Sequence, residues 1–180
     1  MANKSVLQPL QIAAQNVDSY NVVFKSSADV ENGQIFSQGA LSALSGESEV
    51  YAIVTPATAT LSNLFMAFSP EEVILAGANG NQYKVGDYDP RSFTNVTGLV
   101  FTGYRIMKGD KIKLSVEGFT GAKGASDVFA VATDGQVKLV WGTAAGAGVS
   151  YALDAVNYFS IGATFGSQRA IAYQLRCVNV

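Results

Sequence analysis

Apolar residues in this chain recur in short runs, many with a period of two, and the runs are cut by turn-forming pairs. Tyr20 to Lys25 reads as a strand. Asn32-Gly33, two residues that accept positive φ, predicts a hairpin turn, with Gln34 to Ser37 as the returning strand. Gly39 to Ser48 reads as a loop with room for one helical turn. Glu49 to Val54 is a strand that Pro56 ends, and Leu61 to Phe68 is a third apolar run. Ser69-Pro70 turns the chain before Glu72 to Ala76. Asn79-Gly80 marks another tight turn, with Gln82 to Val85 beyond it.

Gly86 to Asn95 reads as a surface loop and Gly98 to Arg105 as a strand. After the turn Lys108-Gly109-Asp110 comes the cleanest alternation. Ile112, Leu114 and Val116 interleave with Lys111, Lys113, Ser115 and Glu117, so this strand should have one side in water. Gly118 to Ser126 is a flexible connection. Asp127 to Thr133 and Gln136 to Gly142 flank Asp134-Gly135 as a second hairpin. Thr143 to Ser150 is a Gly/Ala-rich loop, and Tyr158 to Thr164 is strand-like. In the terminal run Ile171, Tyr173, Leu175 and Cys177 alternate with Ala172, Gln174 and Arg176.

No segment between strands is long enough for the helices of a doubly wound fold. The expected class is all-β: a β-sandwich or β-barrel with hairpins and long loops. At the N-terminus, Leu7, Leu10 and Ile12 with Ala13 and Ala14 suggest a short amphipathic turn, but Pro9 interrupts it. Residues 1–19 are therefore expected as an extended N-terminal arm that a partner would order. Residues 20–180 form a single β domain, divisible into sub-sheets at 20–118 and 119–180.

Composition narrows the chemistry. The 180 residues suit one domain. A chain of this length buries about 70% of its unfolded surface, enough to fold without a disulfide or metal. Charged residues are 14% of the chain, against about 25% in typical globular domains. There is no histidine, which removes His-based acid–base catalysis, Ser-His-Asp and Cys-His nucleophiles, and His-ligated zinc. The lone Cys177 leaves no intrachain disulfide and no thiolate cluster. A net charge of −2 supplies no large basic face, so nucleic acid is not an expected partner. No apolar run approaches the ~20 residues of a membrane span, and the N-terminus makes a poor signal peptide. A cytoplasmic origin is expected.

Each candidate site competes with a plainer reading. Asp87-Tyr88-Asp89 offers paired carboxylates for a hard cation, but an Asp-rich turn before Pro90 explains it as well. Glu71 and Glu72 would point to opposite faces of a strand. Gly118, Gly121 and Gly124 with Lys123 lack the Gly-Lys-Ser/Thr ending of a phosphate loop. No Ser precedes a Lys by three residues, so the Ser-x-x-Lys arrangement is absent. Cys177 reads as a buried small hydrophobe. Trp141, Tyr158 and Phe159 would suit a sugar-stacking or partner surface, but strand aromatics usually belong to a core. No catalytic residue, cofactor or metal is expected, and the chain is not read as an enzyme.

A series of short islands carries one resemblance. Ala28 to Gly39, spelling Ala-Asp-Val-Glu-Asn-Gly-Gln-Ile-Phe-Ser-Gln-Gly, is followed by Gly46-Glu47-Ser48-Glu49-Val50-Tyr51 and Pro56. Then come Ala67-Phe68-Ser69-Pro70-Glu71, Asp89-Pro90-Arg91-Ser92-Phe93-Thr94-Asn95 and Gly103-Tyr104-Arg105-Ile106-Met107-Lys108-Gly109-Asp110. In this order they resemble a family of head decoration, or capsid-stabilising, proteins of tailed bacteriophages. The resemblance spans residues 28 to 119 and departs after Glu71, where Val73 to Gly77 intervenes.

It implies a virion structural protein on the capsid exterior, assembled in the host cytoplasm. Such a protein would bind the major capsid protein lattice and neighbouring copies of itself; a homotrimer at lattice three-fold points is one oligomer that symmetric sites favour. Expected partner contacts are the N-terminal residues Val6, Leu7 and Leu10, and the loop residues Ala144, Gly146 and Val149. Two alternatives stand beside it: a tail-tube or head-fibre component of the virion, and a carbohydrate-binding β-sandwich using Asp87, Asp89 and Trp141.

Overall fold

The computed structural model describes residues 3–41, 49–70, 74–76, 82–84, 89–161 and 168–180. The strands described are β1 (Leu7–Gln11), β2 (Asn21–Lys25), β3 (Ile35–Leu41), β4 (Val50–Val54), β5 (Phe65–Ala67), β6 (Ile74–Ala76) and β7 (Gln82–Lys84). They continue with β8 (Val100–Arg105), β9 (Lys111–Ser115), β10 (Phe119–Thr120), β11 (Phe129–Val131), β12 (Leu139–Gly142), β13 (Ser150–Ile161) and β14 (Gln168–Asn179). Helical structure among the described residues is limited to single 3₁₀ turns, so the protein is all-β.

Strands β2, β4, β3, β5 and β8 close into a five-stranded barrel. A seven-stranded sheet runs in the order β1-β9-β14-β13-β11-β12-β10, and β6 pairs with β7 in a small ribbon. Side-chain alternation explains how one set of barrel strands serves two cores. Phe36, Phe65 and Ala67 point into the barrel with Phe24, Val30 and Phe101. Their neighbours Ile35, Leu64 and Met66 point outward and meet Ile112, Leu114, Leu139, Tyr151 and Leu175 of the sheet. The barrel interior is an aromatic cluster, with Phe24 edge-on to Phe36 at 4.8 Å and to Phe65 at 5.1 Å between centroids. Gly103 makes room for it: a Cβ there would lie 2.8 Å from the Phe24 ring and 2.9 Å from Phe36.

The segment expected as an arm contributes β1, which pairs antiparallel with β9, Leu7 opposite Leu114. Leu7 is buried. Pro9 is accommodated because β1 is an outer strand, where a missing N–H costs no ladder bond. The turn at Asn32-Gly33 does not join a hairpin. Strand β2 lies between β4 and β8, and β3 lies between β4 and β5. The positive φ of Gly33 (+87°) is real, but it serves a crossing connection whose Val30 bridges to Asn95. The expected turn at Asn79-Gly80 lies outside the described residues, although β6 and β7 on either side of it pair antiparallel. The Asp134-Gly135 turn does join an antiparallel pair, β11 with β12.

Candidate interaction surfaces

Three of the sequence islands, at 28–39, 67–71 and 89–95, meet in a hydrogen-bonded buckle. Asn32 is buried, its Oδ1 accepts from the Ser69 N–H at 3.0 Å, and its Nδ2 donates to the Ser69 carbonyl at 2.9 Å. The Nδ2 of Asn95 donates to the Val30 carbonyl at 2.9 Å and to Asn32 Oδ1 at 3.2 Å. Next to it, the Glu31 carboxylate accepts from Lys138 Nζ at 2.8 Å, Lys4 Nζ at 3.2 Å and the Ser5 N–H at 3.2 Å. Burial pushes the Glu31 carboxyl up, but these donors outweigh it and hold it below the usual glutamate range. The group ties the N-terminus, the barrel and the large sheet together. It is a structural knot, with every polar atom named here engaged inside the chain.

Asp110 plays a similar part. Its two carboxylate oxygens accept the Ala13 and Met107 N–H groups, each at 2.8 Å, while its backbone carbonyl accepts from Cys177 N–H at 2.7 Å. Burial raises its carboxyl above the ordinary range, and the two N–H donors offset part of the rise. Cys177 is buried and its thiol is pushed up to about 12, by burial first and then by the nearby Asp110 charge. It is an inert core residue.

The residues expected as partner contacts divide sharply. Val6, Leu7 and Val149 are buried, so their side chains are occupied within the chain's own interior. Leu10 is exposed on β1. Ala144 is exposed and Gly146 half-buried in a loop that the Asn179 and Ser150 side chains pin by hydrogen bonds to the Gly146 backbone. For the sugar-binding reading, the Asp89 carboxylate is committed to Arg91, whose Nη2 lies at 2.8 Å. Asp87 falls outside the described residues, as do Glu71 and Glu72. Trp141 stacks on Phe119 at 4.4 Å and meets Tyr173 edge-on at 4.9 Å, which makes it a lid on the core.

Among the described residues, two apolar surfaces stand out as uncovered. The first is the barrel side formed by β2, β4 and the start of β8. There Val23, Val54 and Val100 face solvent, with Leu41 and Leu99 exposed nearby. Lys25, Ser26, Leu41, Ala52, Thr97 and Gly98 line a shallow cavity of about 410 Å³ on this side.

The second is the outer half of the β13–β14 hairpin. Strand β11 pairs with β13 only from Ser150 to Ala152, and β9 pairs with β14 only from Ala172 to Arg176. Beyond those points the hairpin runs on, among the described residues, as a two-stranded ribbon. Opposite residues of an antiparallel pair share a face. The ladder pairs Tyr151 with Cys177, Leu153 with Leu175, Val156 with Tyr173 and Tyr158 with Ile171. The core face therefore continues outward, with Val156 56%, Tyr158 47% and Ile171 45% exposed. A register shift between Leu153 and Ala155 makes this continuous. The extra residue moves the core-facing set of β13 from odd to even positions.

Sequence reasoning singled out Tyr158 and Phe159 but missed the ribbon, because the bulge destroys the period-two signal between Leu153 and Val156. The signal that was present is the terminal alternation, which carries a core pattern past the point where the chain supplies a core. No family model, curated protein or solved structure matches this chain.

Proposed function

We propose that this chain is a virion structural protein that binds the outer face of an assembled tailed-phage capsid lattice and reinforces it without covalent chemistry. The order of the sequence islands between residues 28 and 119 supports this reading. The observation that carries it is the outer side of the barrel, where Val23, Val54 and Val100 are each exposed, with Leu41 and Leu99 exposed at its margin. Exposed apolar side chains on one face of a sheet mark an interaction surface. Fully burying a valine or leucine contributes about 1.5–3 kcal/mol. Partial burial of several, repeated across a lattice, makes a weak single contact effective through multivalency. Of the contacts expected from the sequence, Leu10 and Ala144 are exposed and Gly146 is half-buried, whereas Val6, Leu7 and Val149 are buried.

The test is co-sedimentation of the purified chain with assembled shells that lack it, and with unassembled capsid protein. Binding to shells alone, abolished by Leu99→Lys with Val100→Lys, is the expected result. Equal binding to both forms, or to neither, contradicts the proposal. Stacked rings or tubes formed by the purified chain would place it in a tail instead.

A further inference from the structure

We propose that the outer edge of β13, from Ala155 to Ile161, is a self-association site at which two copies of this chain pair antiparallel about a two-fold axis. The inference concerns a different surface from the one proposed to meet a shell.

An open strand edge recruits other strands, and proteins usually blunt such edges. Among the described residues, several other edges are blunted. Strand β1 carries Pro9 and a register shift, and β10 is two residues long. The barrel is closed. In the small ribbon, β6 and β7 have three residues each, with Lys84 in β7. The free stretch of β14, Gln168 to Ile171, is short and holds Arg169. The free stretch of β13 is different. Ala155-Val-Asn-Tyr-Phe-Ser-Ile161 contains no charge and no proline. At about 3.3 Å per residue it is roughly 23 Å of open edge.

Charge decides the occupant. A bare edge reserved for a foreign strand needs a charge to keep like copies apart, and none lies between Ala155 and Ile161. The acid at its root, Asp154, is paired with Arg176 at 3.3 Å. Arg169 lies 5.9 Å from the centre of the Tyr158 ring and Lys113 4.5 Å from that of Phe159, so both cations sit over ring faces. Two such edges meet without repulsion.

Full overlap of the seven-residue run centres the two-fold on Tyr158. Tyr158 then lies opposite its copy and Val156 opposite Ser160 of the copy. Side chains keep their face in this register, so the stripe of Val156, Tyr158, Ile171 and Tyr173 doubles in width. A two-stranded ribbon is marginal in water, and pairing converts it into a four-stranded sheet.

Analytical ultracentrifugation of the purified chain from about 1 µM to about 1 mM reads this directly, since that range spans the dissociation constants of modest interfaces. The expected result is a concentration-dependent dimer. Val156→Lys with Tyr158→Lys should stay monomeric with an unchanged melting temperature, because both side chains are solvent-facing. Tyr158→Cys should cross-link under mild oxidation at least about tenfold faster than Val116→Cys, given a Cβ separation of about 5 Å across the pair. A monomer at every concentration, a trimer, a double-lysine variant that associates like the parent, or equal cross-linking at 116 and 158 would each overturn the inference. No shell is present in these measurements, so their failure leaves shell binding untouched.

Discussion

Glu31 shows how one side chain fixes the relation between distant parts of the chain. Its donors, Lys4, Ser5 and Lys138, come from the start of the sequence and from more than a hundred residues further on. Because its carboxyl is held below the usual glutamate value of 4.5, the folded state releases the proton more readily than the unfolded chain. The stability it contributes is present above pH 4.5 and is lost as pH falls through the lower folded-state value. Asp110 acts with the opposite sign. Its raised carboxyl keeps a proton in the folded state that the unfolded chain has lost above 3.8, so its contribution favours folding more at the acid end.

Thermal melts between pH 3 and 7 separate the two residues. Glu31→Gln should lower stability at pH 7 by about 1–3 kcal/mol and flatten the acid loss. Asp110→Asn should steepen it and cost about 1 kcal/mol at neutral pH, since one of the two N–H donors loses its acceptor. Identical acid limbs in all three proteins would contradict this assignment. Gly148→Ala is a steric counterpart. Its Cβ would lie 2.6 Å from the Leu61 carbonyl oxygen, which is backbone and has little freedom to move. A loss of about 1–3 kcal/mol in denaturant titration is expected from such overpacking, whereas Gly121→Ala, with open space around it, should show only the smaller cost of a positive φ.

At the scale of elements, the reading of the sequence succeeds where local periodicity and tertiary packing agree. Strands β2, β4 and β8 follow from short apolar runs between turn signals, β9 and most of β14 follow from alternation, and the hairpin at Asp134-Gly135 follows from its turn chemistry. It fails where the partner of a strand lies far along the chain. Nothing local indicates that β2 runs parallel to β4, with Val23 opposite Val50, so Asn32-Gly33 looks like a hairpin turn. Pro9 hides β1 because proline argues against a strand unless the strand lies at an edge, and edge position is a tertiary fact. The start of β13 is hidden by its own bulge.

The candidate surface was legible only in part. Leu10 is an expected contact and is exposed, and Tyr158, for which a core position is the favoured reading, is exposed as well; alternation cannot distinguish a buried Val6 or Val149 from a free one. The N-terminal strand gives a clean contrast. Leu7→Ala removes a buried side chain that faces Leu114 and should cost about 2–5 kcal/mol. Leu10→Ala, on the exposed side, should change the melting temperature little. Equal, small effects would return residues 1–19 to the status of a loose arm.

Over the described residues, an aromatic-filled barrel and a seven-stranded sheet share one core and leave two apolar surfaces uncovered, one on each. The barrel side is the surface proposed to meet a shell, and the β13 edge the one proposed to meet a second copy. A protein with both contacts links lattice sites to each other through its own pairing, and the chain's low charge lessens the desolvation cost of burying such surfaces. The most direct measurement is a pair of cryo-electron microscopy maps of the intact phage particle, with and without this chain. The account predicts difference density on the outside of the capsid, with the barrel side against the shell. Density confined to the tail, or no density on the particle, would contradict it.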